Sequence, residues 1–386
     1  MRAVTTMSNV ARVRDGNKLH INDVFRGPAD KTQLTTSERL LCYRRIIILT
    51  EGESTSGRAK TAIGLLTYRT ADIAGVLDST FGGQTCQELF GVGGNIPVIA
   101  SLDQIVGADA LFVGIAPAGG KLPPEWREVI SEALRNEMDV VSGLHDFIVD
   151  DSELRAIADL HRRSVIDVRR NCHRSVAVHV TYQQRNLRIH TVGHDCSVGK
   201  MVAAVELDRG LRQRGHDSQF LATGQTGIMI DGKGVPVDAV VADFVSGAVE
   251  EMVLGNEHHD TLVIEGQGSL AHPSFSGVTL SLLHGCAPHG LIMCYDASRE
   301  SVKGLGHVSL QPLSRLIKLY EALGSLRHPC KVIGVAINGR GLSEASAASE
   351  RDRVRDELGL PACDVYRDSP TALVEAVLEF RNITIQ

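Results

Sequence analysis

The sequence predicts an α/β protein of two domains, a Rossmann-like parallel sheet followed by a P-loop NTPase-like parallel sheet. Three observations carry this. Short apolar runs alternate with helical stretches along most of the chain, as in βα units that lay down parallel strands. The apolar run 187–192 (LRIHTV) enters a loop with phosphate-loop spacing, Gly193-His194-Asp195-Cys196-Ser197-Val198-Gly199-Lys200. Three later strand-like runs end in Glu265, Asp296 and Asn338, and ligands of open parallel sheets bind outside that carboxyl edge.

Residues 1–42 are polar and aperiodic and read as an N-terminal extension without identifiable chemistry. The first domain is assigned to 43–184. Its run 45–50 (RIIILT) is a buried-strand signal, and the loop 51–60, with Gly52, Gly57 and Lys60, leads into a helix from Thr61. The run 72–77 (DIAGVL) closes an opening βαβ unit at Asp78. The loop has no GxGxxG, which argues against a nicotinamide dehydrogenase. Asp78, at the position of a ribose-binding acid, therefore reads first as a turn-capping acid. Residues 81–94 (FGGQTCQELFGVGG) read as a glycine-rich loop, either close to a ligand or simply a long turn. Strands follow at 96–100, 109–115 and 139–142, with a short helix near Leu102, a proline-glycine loop at 116–124 and an amphipathic helix at 125–136.

The second domain is assigned to 185–386. After the phosphate loop comes a helix at 201–214 that stops at Gly215. Strands at 261–264, 291–295 and 332–337 should place Glu265, Asp296 and Asn338 on the same edge as Lys200. Ser369-Pro370 opens a closing helix at 371–380.

Composition narrows the class. With 43% apolar and 22% charged residues the chain reads as a soluble globular protein. A net charge of -6 argues against a general nucleic-acid binder. Eight irregularly spaced cysteines without CxxC suggest reduced thiols and a cytoplasmic location. No apolar run reaches the roughly 18 residues of a membrane span, and the N-terminus lacks the apolar core of a secretory signal. A homo-oligomer is expected, a dimer being the commonest case.

In a phosphate loop, backbone N–H groups and a helix N-terminus face an anion while the lysine adds a point charge. Gly193, His194, Cys196, Ser197, Val198, Gly199, Lys200 and Met201 are the residues expected around it. Met201 stands where a Ser or Thr hydroxyl would ligate magnesium. That favours a ligand whose phosphates are a handle, such as coenzyme A. Glu265 follows four apolar residues, as the acid of a Walker B strand does, and could take a proton or hold a metal. Asp195 could bind a substrate ammonium or replace the missing magnesium ligand. His272 is a second candidate acid or base. Cys196 at a helix N-terminus should have a lowered pKa, making an acyl-cysteine conceivable, although packing is the simpler role. Asp296, Arg299, Asn338 and Arg340 follow strand ends and are candidate substrate ligands, the arginines for carboxylates. Cys286, Cys294, His284 and His289 lack zinc-site spacing.

The runs GHDCSVGKM and EGQGSLAHPSFS, with KTAIGLL, AGVLDS and IAPAGGKLPPEWR before them, resemble a bacterial two-domain family long described as a domain of unknown function. The resemblance covers about residues 45–386 and implies a Rossmann-like domain joined to a P-loop domain. One branch is known as D-glutamate N-acetyltransferase and uses acetyl-coenzyme A. The loop is also similar to that of dethiobiotin synthetase, a magnesium- and ATP-dependent ligase, with Gly193, Asp195, Val198, Gly199 and Lys200 matching and Met201 departing. The resemblance thus implies an acetyl-CoA-dependent N-acetyltransferase acting on a small amino acid, D-glutamate or a relative. An ATP- and magnesium-dependent ligase or kinase, with Asp195 and Glu265 on the metal, is the alternative. A non-catalytic nucleotide-binding regulatory module is a third reading.

Overall fold

The structure, a computed structural model, describes residues 34–55, 57–115 and 120–385. Residues 1–33 of the expected extension and 116–119 of the expected proline-glycine loop lie outside the described residues. The remainder of the extension includes a helix, α1 (Thr36–Cys42).

The first sheet takes β1 (Ile46–Leu49), β2 (Ile73–Leu77), β3 (Val98–Ile99), β4 (Ala110–Val113), β5 (Asp139–Ser142) and β6 (Val165–Asp167). Its order, β3-β2-β1-β4-β5-β6, is wholly parallel and is the doubly wound Rossmann order. All four side chains of β1 (IIIL) are buried, as expected of a strand covered on both faces. The helices are α2 (Lys60–Tyr68), α3 (Cys86–Phe90), α4 (Trp126–Arg135) and α5 (Ser152–His161). α3 lies inside the stretch expected to be only a loop. Thr85 and Glu88 form a capping box at its start, and Gly91 ends it with a φ of 74°. Those short-range bonds suffice for a five-residue helix too brief to show a period.

The second sheet has the order β14-β13-β10-β7-β9-β8, again parallel. Its strands are β7 (Leu187–Gly193), β8 (Ser218–Leu221), β9 (Thr261–Ile264), β10 (Gly290–Asp296), β13 (Lys331–Asn338) and β14 (Ala362–Asp364). A small antiparallel hairpin, β11 (Ser301–Val302) and β12 (Leu305–Ser309), leaves the sheet after β10. Around the sheet run α6 (Lys200–Gln213), α7 (Gln225–Asp231), α8 (Ala242–Asn256), α9 (Ser276–Cys286), α10 (Leu313–Gly324), α11 (Glu344–Leu358) and α12 (Thr371–Thr384). β7 is buried throughout and lies between β9 and β10. Connections leave it in both directions, so its carboxyl end is a topological switch point.

The two sheets share a core. One cluster of buried side chains runs from Leu40 and β1 to β7, α6 and α12. Arg69, buried at the end of α2, donates to the carbonyls of Leu40 and Tyr43 and to that of Met229 in α7. Among the described residues no helix is long and apolar enough to cross a membrane.

Candidate active site

The phosphate loop forms as its spacing demands. β7 ends at Gly193, Ser197 and Gly199 take φ values of 56° and 106°, and α6 begins at Lys200. A positive φ is strained for Ser197 and ordinary for Gly199. The buried Lys200 Nζ donates to the Asp195 carbonyl at 2.9 Å, and burial lowers its pKa. Tyr320 supports the loop from behind, donating to the Gly193 carbonyl at 2.8 Å. His194 is buried with Nδ1 unpartnered, and burial holds it neutral with a pKa of about 4. Val198 packs into the shared core, with Met201 against it.

Asp195 is engaged on both oxygens. Oδ1 accepts from Cys196 N–H at 2.7 Å; Oδ2 accepts from Arg299 and from Lys303 N–H, each at 2.8 Å. Burial alone would raise its pKa, but these donors outweigh it and hold the carboxyl below its usual range. Arg299 also donates to the Cys196 carbonyl at 2.7 Å and to Asp296 at 3.1 Å. It is thus a brace for the loop, already carrying two carboxylates. Cys196 departs from the lowered pKa expected of a helix N-terminus. Burial raises it, outweighing Lys200 and the other nearby cations.

Glu265 follows β9 and is buried beside the loop. Its Oε2 accepts from Thr223 N–H at 2.9 Å and Gly224 N–H at 3.1 Å, both just beyond β8. Burial pushes its pKa up to about 7, against the pull of those N–H groups and of Lys200. Glycines make the space. A Cβ at Gly227 would lie 2.6 Å from Glu265 Oε2, and one at Gly266 would lie 1.7 Å from the Thr191 carbonyl oxygen.

His272 lies on the other side of the loop from Glu265, near Asp195 and Cys196. One ligand atom from each of these three residues falls within 4.8 Å of the others. Its Nε2 donates to the Lys303 carbonyl at 3.0 Å and its Nδ1 accepts from Ser274 N–H at 3.2 Å, so both ring nitrogens are occupied. Asp296 and Asn338 are paired in register across β10 and β13. Asp296 accepts from Ser298, while Asn338 accepts from Arg340, whose guanidinium lies 4.1 Å from the Tyr366 ring centre.

The first domain closes the other wall. Thr61 of α2 shares a hydroxyl hydrogen bond of 2.8 Å with Thr226 of α7, and Gln225 bonds Thr61 at 3.2 Å. Arg169, just past β6, pairs with Asp238 at 2.7 Å and donates to Gln225. The carboxyl edges of the two sheets therefore meet over the phosphate loop. Asp78 takes no part. Its carboxylate accepts from Thr80 N–H at 3.0 Å and Ser54 Oγ at 2.5 Å, the bonds of a turn-capping acid.

Sequence reasoning missed Thr223 and Gly224, Lys303, and the placing of Lys60. The run ATGQTG after a short apolar stretch was a usable sign of a strand-end loop. Lys303 sits at a hairpin tip with no pattern of its own.

The donor set bears on what the site can hold. A positive-φ loop with a buried lysine suits a phosphate. Magnesium fits poorly, because Asp195 has both oxygens bonded, Glu265 has one oxygen on two N–H groups, and Met201 brings no hydroxyl.

A family described as a domain of unknown function, the DUF1611 C-terminal P-loop domain, matches residues 175–374. Its N-terminal Rossmann-like counterpart matches residues 79–171. The chain is 38% identical over 324 residues to the D-glutamate N-acetyltransferase of Tritonibacter scottomollicae, a match covering 83% of this chain and 94% of that protein. It is 38% identical over 272 residues to a D-glutamate N-acetyltransferase from a Pseudoalteromonas species, covering 70% and 81% respectively. A crystal structure of a DUF1611 family protein from Anabaena variabilis superposes with a TM-score of 0.82 at 36% identity, covering 87% of this chain and 99% of that one. Strand order, loop geometry and relatives of nearly full length agree, and the chain belongs to the DUF1611 family of joined Rossmann-like and P-loop domains.

Proposed function

We propose that the protein is an acetyl-CoA-dependent N-acetyltransferase whose acceptor is a small acidic amino acid, D-glutamate or a relative. The observation that carries this is Glu265, a buried carboxyl beside the phosphate loop with a pKa of about 7. A base so placed can take a proton from an ammonium group near neutral pH. The names of the relatives support the same chemistry.

Acetyl-CoA would supply an activated acyl thioester. The phosphate loop and Lys200 would hold its phosphates, which serve as a handle and need no metal. Glu265 takes one proton from the acceptor ammonium. The freed amine nitrogen bonds to the thioester carbonyl carbon, the carbon–sulfur bond breaks, and the second nitrogen proton passes to the departing thiolate. His272, with both ring nitrogens occupied, is assigned to positioning Lys303 rather than to proton transfer.

The test is thiol release from acetyl-CoA, with and without D-glutamate, in the presence of a metal chelator. Release that needs both substrates, survives chelation and is lost in Lys200→Met supports the proposal. Phosphate release from magnesium-ATP that depends on an amine would replace it with ligase chemistry. Ligand binding with no product from either mixture would point to a regulatory module.

A further inference from the structure

Lys60 belongs to the first domain but lies near side chains that brace the phosphate loop of the second. It opens α2, which rests on the loop's own helix. A Cβ at Gly64, one turn on, would lie 2.8 Å from Thr226 Cγ2 and 3.6 Å from Met201 Cε. There the half-buried Lys60 lies close enough to Lys303, Arg299 and Arg340 to feel their charges. Burial first, and then those charges, bring its pKa down to about 7. Arg299 is neutralised by Asp195 and Asp296. Lys60, Lys303 and Arg340 pair with no carboxylate among the described residues. The Lys303 Nζ donates to the Ser197 hydroxyl at 2.9 Å. Arg340 has a neutral partner, Asn338, and an aromatic one, Tyr366.

Cations arriving from three separate elements repel one another unless an anion lies between them. We propose that Lys60, Lys303 and Arg340 form a second anion subsite, beside the phosphate loop and shared by both domains, that takes the further phosphate of a diphosphate-bearing ligand. Position argues for a diphosphate. The Lys303 ammonium is one hydrogen bond from Ser197 of the loop, so an anion held there is adjacent to one held by the loop. The sheet order separates this subsite from the base. Arg299, Lys303 and Arg340 follow β10 and β13 on one side of β7, whereas Glu265 follows β9 on the other. A ligand would cross the loop with its phosphates toward β13 and its reacting end toward β9. This inference rests on the phosphate-binding reading of the loop and not on acyl transfer.

Calorimetric titration of the full chain tests it, using coenzyme A, inorganic pyrophosphate, inorganic phosphate and D-glutamate. The proteins are wild type, Lys60→Met, Lys60→Arg and Lys200→Met. Losing one charge-assisted contact should weaken coenzyme A and pyrophosphate about tenfold or more in Lys60→Met, with phosphate changed less than about twofold. D-glutamate should bind unchanged, and Lys60→Arg should stay within about threefold of wild type. Thermal unfolding of Lys60→Met should match or exceed wild type, because a crowded cation has been removed. Wild-type affinity of Lys60→Met for coenzyme A and pyrophosphate, or a loss confined to D-glutamate, overturns the proposal. If Lys200→Met abolishes coenzyme A binding while Lys60→Met does not, only the second subsite falls. If Lys200→Met also binds normally, the reading of the loop falls with it.

Discussion

Glu265 couples a cost in stability to the chemistry proposed for it. Its carboxyl is buried with two backbone N–H donors and has a pKa of about 7. With this carboxylate as the proposed base, kcat/KM should rise as pH passes upward through about 7. Glu265→Gln should lower kcat/KM by roughly 10²- to 10⁴-fold and remove that limb of the pH profile. The folded protein binds this proton more tightly than the unfolded chain, where the ordinary value is 4.5. Glu265 therefore contributes less to stability as pH climbs through the interval between those values. Glu265→Gln should melt higher than wild type at alkaline pH and level with it near the ordinary carboxyl range, as a melting series across pH would read. Gly266 is the counterpart in backbone. An added Cβ would meet the Thr191 carbonyl at 1.7 Å, and a main-chain atom cannot rotate away. Gly266→Ala should cost about 3 kcal/mol or more in chemical denaturation, at or beyond the upper end of ordinary overpacking.

At the scale of elements, the β11–β12 hairpin acts as a strap on the phosphate loop. Its tip is tied at Lys303, whose N–H bonds Asp195, whose Nζ bonds Ser197 and whose carbonyl accepts from His272. Removing the imidazole should loosen the strap without removing the base. His272→Ala is expected to raise KM for acetyl-CoA by roughly three- to tenfold with kcat little changed, as for one lost neutral hydrogen bond. Faster hydrogen exchange should appear at 301–309 in the same variant. A fall in kcat as deep as that of Glu265→Gln would instead make His272 the base. Neither this hairpin nor β8 was found from the sequence, because the hairpin strands are partly exposed and β8 opens on Ser218 and Gln219, so none of them writes a continuous apolar run. The buried strands β1, β7, β10 and β13 were legible because burial on both faces writes a mostly apolar run, whatever its length.

At the scale of the molecule, the site is a seam. Arg169 beyond β6 holds Asp238 and Gln225 of the second domain, and Arg69 ties α2 to α7. Arg169→Met would leave Asp238 with the His145 imidazole 4.0 Å away, a ring that burial holds below its usual pKa and so a weak substitute for a guanidinium. Asp238 keeps some solvent, so the expected loss is about 1–3 kcal/mol. Urea unfolding should show it as a lower midpoint, with a broader or two-step transition if the seam opens before the domains melt.

The sequence by itself determined the two α/β halves, the phosphate loop and the polar strand ends, because these depend on neighbours within a few residues. Alternation of apolar runs and helices specified the class, and Gly193 to Lys200 needed only glycines and a lysine at set spacing. The roles of the surrounding side chains were decided by tertiary structure alone. Asp195 and Arg299 looked available as separate ligands and instead hold each other, 104 positions apart in the chain. Glu265 owes its raised pKa to burial, which outweighs the Thr223 and Gly224 N–H groups and Lys200 that pull it down. Lys60 lies near the side chains that brace the phosphate loop only because the two sheets pack carboxyl edge to carboxyl edge. Local spacing writes backbone conformation, whereas charge state and partnership depend on desolvation and on contacts that exist only after distant segments meet.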